Sequence, residues 1–138
     1  MRPIYETSFD IGREAAVATL FAEANDMAWV RNPSKYPIDI SFTEDNQIVL
    51  FGEIKCRKVK KDAYPTYMLS VSKVIAAKAL TDATGVECLL IVDWKDTSGW
   101  INLSDKPDSV GFGGRTDRGD RQDVEPVVYF NIDRFIVF

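Results

Sequence analysis

A lone carboxylate sits among apolar residues in Tyr36-Pro37-Ile38-Asp39-Ile40-Ser41-Phe42, and an acid and an amine stand two residues apart in Val49-Leu50-Phe51-Gly52-Glu53-Ile54-Lys55. Acids are disfavoured in strands, so Asp39 between two isoleucines asks for a role. Successive strand side chains alternate faces, which puts Glu53 and Lys55 on one face. Two carboxylates beside an ammonium group are a compact set for holding a metal ion against a phosphate. The sequence has no histidine, which excludes Ser-His-Asp and Cys-His catalysis and every His-ligated zinc site. Any metal must therefore use oxygen ligands, favouring magnesium, manganese or calcium.

Those groups meet only if the two segments pair as a hairpin. Ile38, Ile40 and Phe42 alternate with Asp39 and Ser41, and Thr43 to Gln47 is a polar turn. In the second strand Ile48, Leu50, Gly52, Ile54 and Cys56 share one face, and Val49, Phe51, Glu53 and Lys55 the other. A turn centred near Asp45 sets Asp39 across from Phe51. Asp39 and Glu53 are then same-face diagonal neighbours, roughly 7–8 Å apart at the backbone. A one-residue slip would send them to opposite faces.

Other elements flank this hairpin. Thr7 or Ser8 caps a helix predicted to reach about Trp29, with Ile11, Ala15, Ala18, Phe21 and Ala22 as its apolar stripe. Glu14 lies on that stripe, either at its edge and reaching water or facing a partner. Residues 31–35 read as a loop, and Tyr64 to Tyr67 as a turn around Pro65. Ser70 or Ser72 begins a second helix ending near Thr84 before Gly85, with Lys73, Ala76, Ala77 and Leu80 on one stripe. Val86 to Trp94 is a buried strand and Trp100 to Leu103 a shorter one. Residues 104–125 form a long polar segment with four glycines. Val127 to Phe130 and Phe135 to Phe138 are apolar enough for an edge strand or a packed tail. The order of elements suggests an α/β/α sandwich around a central mixed sheet.

The bulk properties are those of a globular protein. A length of 138 residues, 46% hydrophobic and 28% charged, is sufficient for one domain spanning 1–138. No apolar run approaches the roughly 18 residues that cross a bilayer, and the N-terminus lacks a signal-peptide stretch. The expectation is a cytoplasmic protein with no membrane partner. Cys56 and Cys88 are expected as thiols in strands rather than as a disulfide. The net charge of −4 argues against a protein that coats nucleic acid non-specifically. Arg57, Lys58, Lys60 and Lys61 nevertheless form a local basic cluster just after Lys55.

The arrangement Pro37-Ile38-Asp39, thirteen residues, then Glu53-Ile54-Lys55 resembles the PD-(D/E)xK nuclease superfamily, the restriction-endonuclease-like fold. The resemblance covers the N-terminal two-thirds: a helix with an acid, the hairpin, a helix with a lysine and an apolar strand follow in that order. One departure is the residue between Pro37 and Asp39, which many members lack. The size and the absence of histidine are similar to small phage-type nucleases and junction resolvases. The resemblance implies an α/β/α fold and hydrolysis of phosphodiester bonds in DNA with magnesium or manganese. It implies that Asp39, Glu53 and the Ile54 carbonyl hold the metal. Lys55 would orient or deprotonate water, or neutralise developing charge. Glu14 would be a carboxylate supporting the ligands or binding a second metal, and Lys73 would touch the scissile phosphate or a neighbouring one. Arg57, Lys58, Lys60, Lys61, Arg115 and Arg118 are candidates for nucleic-acid contact.

Each reading has a simpler rival. Asp39 and Glu53 fit a surface ion pair with Lys55, worth about 0–1 kcal/mol. Lys73 fits a snorkelling helix residue, the cations after Lys55 fit a solvated sheet edge, and Arg115, Arg118 and Arg121 alternate with acids in a near-neutral loop. Trp94 and Trp100 suit the core better than a stacking surface. The function expected is structure-selective or weakly sequence-selective DNA cleavage rather than strongly sequence-specific cutting, with a symmetric dimer where both strands are cut. An inactive nuclease-fold accessory protein and an RNA nuclease are the alternatives.

Overall fold

The computed structural model of the protein describes residues 8–114 and 124–138. Helix α1 (Ser8–Ala24) leads into strands β1 (Ala28–Arg31), β2 (Ile40–Glu44) and β3 (Gln47–Cys56). Strand β4 (Thr66–Ser70) runs directly into helix α2 (Val71–Thr84), and β5 (Cys88–Asp93) and β6 (Ser98–Asn102) follow. Strands β7 (Ser109–Gly114), β8 (Val124–Asn131) and β9 (Ile136–Val137) complete the described chain.

Six strands form one mixed sheet in the order β1-β2-β3-β5-β6-β9. Only the β3–β5 pair is parallel; the other pairs are antiparallel. The parallel pair is central, and β5 is buried from Cys88 to Val92, as its near-continuous apolar sequence requires. Against one face packs α1, through Val17, Ala18, Phe21 and Ala22 on Ile40, Phe42, Ile54 and Ile91. Against the other pack α2 and a second, antiparallel sheet, β4-β8-β7, sharing a core with Phe51, Leu90 and Val92. The expected α/β sandwich with a central mixed sheet is therefore present, with a small sheet beside α2 in the second outer layer.

Several elements differ from the sequence reading. Helix α1 stops at Ala24, not near Trp29. Asp26 adopts a left-handed φ of 55°, the Asn25 amide donates to the Phe21 carbonyl, and the Met27 N–H returns to the Ala22 carbonyl. This closes the helix as an αL cap does and releases 28–31 as β1. The turn around Pro65 ends earlier, because Thr66 pairs with Asn131 in β4. Part of the 104–125 segment is strand β7, paired with β8. Helix α2 matches its caps: the Ser70 hydroxyl accepts the Ser72 N–H, and Gly85 sits at φ 72°. Both cysteines are thiols.

The hairpin turn is Asp45–Asn46, both with positive φ, the requirement of a type I′ turn. A bulge between Phe42 and Thr43 then shifts the ladder so that Ile40 faces Gly52. The expected pairing of Asp39 with Phe51 is thus displaced by two residues. Displacement by an even number preserves which face each side chain takes. The bend at residues 36–39 also separates Ile38 from Ile40: the two belong to opposite core clusters.

Candidate active site

The last β2–β3 pair is Ile40 with Gly52, one residue short of Asp39 on one strand and of Glu53 on the other. Asp39 stands just before β2 begins, where β3 has lost its strand partner. Its Oδ2 accepts the Ile54 N–H at 3.0 Å, substituting for the missing ladder bond. In an antiparallel ladder the N–H and C=O of a residue point to the same neighbour, so the Ile54 carbonyl shares this edge with the Asp39 carboxylate.

Asn32 fixes the bend that carries Asp39. Its N–H donates to the Asp39 carbonyl at 2.8 Å, and its side-chain amide donates to the Ile38 carbonyl at 2.9 Å. Its Oδ1 accepts from the buried Ser41 hydroxyl at 2.7 Å. The sequence reading placed Asn32 in a loop and gave it no role; an amide three bonds deep in one bend has no periodic signature.

Glu53 is only 1% exposed. Its Oε1 lies 3.0 Å from the Lys73 ammonium and 3.6 Å from that of Lys55. Its Oε2 is buried and has no hydrogen-bond partner. Burial pushes the Glu53 carboxyl above its ordinary range, the Asp39 charge adds to that, and Lys55 and Lys73 pull it back. Lys73 occupies the first turn of α2, where the helix dipole disfavours a cation. Glu53 and the Pro37 carbonyl, 3.0 Å away, hold it there.

The structure therefore brings Asp39, Glu53, Lys55 and Lys73 together. Glu14 is buried on α1 and pairs with Arg31 at 3.3 Å. Among the described residues no three acids form a group able to hold a metal by themselves. An ion here would rest on two carboxylates and a backbone carbonyl, and the buried, partnerless Glu53 Oε2 is the atom that fits a cation.

Arg57, Lys58, Lys60 and Lys61 follow β3 and lie beside the end of β5, where the Arg57 N–H bonds the Asp93 carbonyl. Strand β3 pairs with β2 only as far as Gly52, so Glu53 to Cys56, just before these cations, have a strand neighbour on the β5 side alone. Arg13 was missed from sequence: it donates to Asp93 Oδ2 at 2.9 Å and to the Arg57 carbonyl at 2.8 Å, tying α1 to this corner. A cleft of about 640 Å³ lies between Arg13, Lys58, Asp93 and Asp96 and does not include Glu53. Trp94 is core, as expected, and Trp100 is partly buried against the α1 side. Arg115 and Arg118 lie outside the described residues.

Over residues 1–137 the sequence matches a family model described as "Phage putative PDDEXK endonuclease". The chain belongs to that family. It is a nuclease of the PDDEXK type. Among solved structures, this PDDEXK nuclease is similar to Hjc of Archaeoglobus fulgidus, a Holliday junction resolvase from an archaeal hyperthermophile. The TM-score is 0.54 and the identity 13%, over 90% of this chain and 85% of the other. It is similar also to D212, a nuclease from a fusselovirus, with TM-score 0.54 and 13% identity over 99% of this chain and 90% of the other. These likenesses establish the fold. No curated protein matches the sequence. No helix among the described residues is long and apolar enough to cross a membrane.

Proposed function

We propose that this PDDEXK nuclease hydrolyses phosphodiester bonds in DNA with magnesium or manganese, and selects its substrate by structure rather than by base sequence. The observation that carries the reading is Glu53: a carboxylate 1% exposed, within reach of the Asp39 charge, with one oxygen between two ammonium groups and the other without a partner. Leaving such an oxygen bare costs about 1–3 kcal/mol or more, a cost that a cation offsets.

Asp39, Glu53 and the Ile54 carbonyl would hold the ion. When bound, a divalent cation there lowers the pKa of water and polarises a phosphate oxygen. Lys55, about a third exposed, reaches the solvent side of Glu53, where its ammonium would orient the attacking water or neutralise charge developing on the phosphate, and only as the neutral amine would take the water's proton. Lys73 keeps the Glu53 carboxylate aimed and adds positive charge toward the phosphate. Glu14, through Arg31, steadies the junction of α1 and β1 behind the bend. Lys58 and Arg57 extend the positive surface along the substrate backbone, with the Arg115 and Arg118 segment as a further contact.

Structure selection follows from what is missing: among the described residues no separate base-reading element accompanies the site. The resolvase among the structural neighbours makes branched DNA the first substrate to try. A symmetric dimer would supply the second site needed to cut both strands. Cytoplasmic action by a single domain completes the reading.

The test is cleavage of branched, nicked and single-stranded DNA, with RNA as competitor. Cleavage must require magnesium or manganese and vanish in Asp39→Ala and in Glu53→Ala. Metal-independent cleavage, or cleavage that survives both substitutions, would overturn the assignment. Preferential loss of RNA would move the substrate class to RNA.

A further inference from the structure

A second cleft, about 380 Å³, opens between the chain that follows β3 and the start of β4. Its walls include Tyr64, Pro65, Tyr67, Met68, Trp94 and Ile132, and its rim carries Arg57, Lys60 and Lys61. Among the described residues no carboxylate lines it, although the chain has 21 acids to 17 bases. Asp96 accepts the Lys61 N–H and lines the adjoining cleft instead.

Three features of the cleft point to a ligand with a flat ring and a phosphate. Tyr64 is 63% exposed and Met68 41%, large apolar surface left in water beside cations. The Lys61 ammonium lies 5.9 Å from the Trp94 ring centroid, and the Arg57 guanidinium carbon 5.0 Å from that of Tyr67. The Tyr67 hydroxyl is buried in a residue 5% exposed and has no hydrogen-bond partner. Burial drives its pKa up to about 12, Arg57 opposes this, and the Glu53 charge adds to it, so Tyr67 lies within electrostatic reach of the candidate active site. Arg57 follows Lys55 by two residues on the same face, roughly 7 Å along the chain.

We propose that this cleft seats an unpaired nucleobase next to the phosphate that is cut. The base stacks on Tyr64, its edge meets the Tyr67 hydroxyl, and Arg57, Lys60 and Lys61 hold the flanking phosphates. The volume lies in the range of small-molecule sites. A base still paired in a duplex presents only an edge and cannot stack there, whereas an unpaired base offers its whole face. The inference rests on the nuclease reading and narrows it: the DNA structure recognised is one with unpaired nucleotides, such as a flap, bulge or open junction.

The experiment measures binding in EDTA, where metal-dependent cleavage is silent. Wild-type protein, Tyr64→Ala and Tyr64→Phe are titrated with two DNAs, a flapped duplex carrying 2-aminopurine at the first unpaired position and the same sequence fully paired. Wild type is expected to prefer the flap and to quench the 2-aminopurine. Tyr64→Ala should weaken flap binding about tenfold, in the range of one base stacked on an aromatic ring, leave duplex binding unchanged and abolish the quench. Tyr64→Phe should restore both. Tyr64 is exposed, so neither substitution endangers folding. Equal binding of the two DNAs by wild type, or equal loss of both in Tyr64→Ala, overturns the proposal. So does displacement of the DNA by poly-glutamate with no flap preference, which would mark a seat for acidic peptide. Magnesium-dependent cleavage without flap preference removes this inference alone. Flap preference without cleavage of any DNA removes the nuclease reading alone.

Discussion

The Lys73 ammonium stands 3.0 Å from Glu53 Oε1, joining the first turn of α2 to the middle of β3. Its other partner is the Pro37 carbonyl, also at 3.0 Å. One side chain therefore bridges the helix, the strand bearing Glu53 and the bend bearing Asp39. Lys73→Met should destabilise the metal-free protein by about 1–3 kcal/mol. This is below the loss for a fully buried pair because Lys73 keeps 26% of its side chain in water. Urea denaturation measures it. Saturating magnesium should narrow the difference, since a cation supplies the charge that Lys73 gave. A difference that magnesium leaves unchanged would show that Lys73 acts only as a structural tie.

The pH dependence of stability follows from Glu53. Its carboxyl is held above its ordinary 4.5 by burial and then by Asp39. Between 4.5 and the raised folded value the native state keeps a proton that the unfolded chain has released. Metal-free stability therefore falls as pH rises through that window. Thermal denaturation of wild type against Glu53→Gln should show this slope in wild type alone. Magnesium should flatten it, because metal and proton compete for the same carboxylate. Parallel profiles for the two proteins would contradict the burial argument.

Asn32 acts on the site through Asp39, as a positioning residue. Asn32→Ala removes the bonds to the Ile38 carbonyl and the Ser41 hydroxyl. The expected results are about 1–3 kcal/mol of lost stability and a fall of about 10-fold in both magnesium affinity and cleavage, the scale of losing support behind a metal ligand. Calorimetric metal titration separates this from a folding defect, which would lower the active fraction and leave the affinity of the remainder intact.

Gly52 leaves room for the Phe42 ring of β2 beside Ile91 of β5, on the face of the sheet that α1 covers. A Cβ there would stand 2.7 Å from Phe42 Cε2 and 3.4 Å from Ile91 Cδ1. Gly52→Ala is expected to cost about 1–3 kcal/mol through overpacking, read as a lowered melting temperature. An unchanged melting temperature would mean that the Phe42 ring has room to turn aside.

How far the site was legible in the sequence depended on the kind of signal. Strand alternation placed Glu53 and Lys55 together, and that pairing survives because it is local to one strand. Asp39 reaches β3 through its bond to the Ile54 N–H, although Phe51 pairs with Ser41 and not with Asp39. The bulge after Phe42 and the bend at residues 36–39 carry no mark in the sequence. Helix α2 was legible because Ser70 and Gly85 close both its ends. Strand β1 was hidden by its length of four residues behind a helix with no obvious stop, since the αL conformation of Asp26 is invisible in composition. Strand β7, Ser-Val-Gly-Phe-Gly-Gly, reads as loop by its glycines, yet a Cβ at Gly113 would stand 2.5 Å from Met68 Sδ, while one at Gly111 would make ordinary contact with Tyr129. Arg13 and Asn32 act through backbone carbonyls far away in sequence, and no spacing rule points to such partners.

Anomalous diffraction from manganese-soaked crystals tests the central claim most directly. The account predicts a manganese peak in coordinating contact with both Asp39 and Glu53, with Glu53 Oε2 among its ligands. Saturating manganese that leaves Glu53 Oε2 bare, or that binds one of these acids while the other points away, would contradict it.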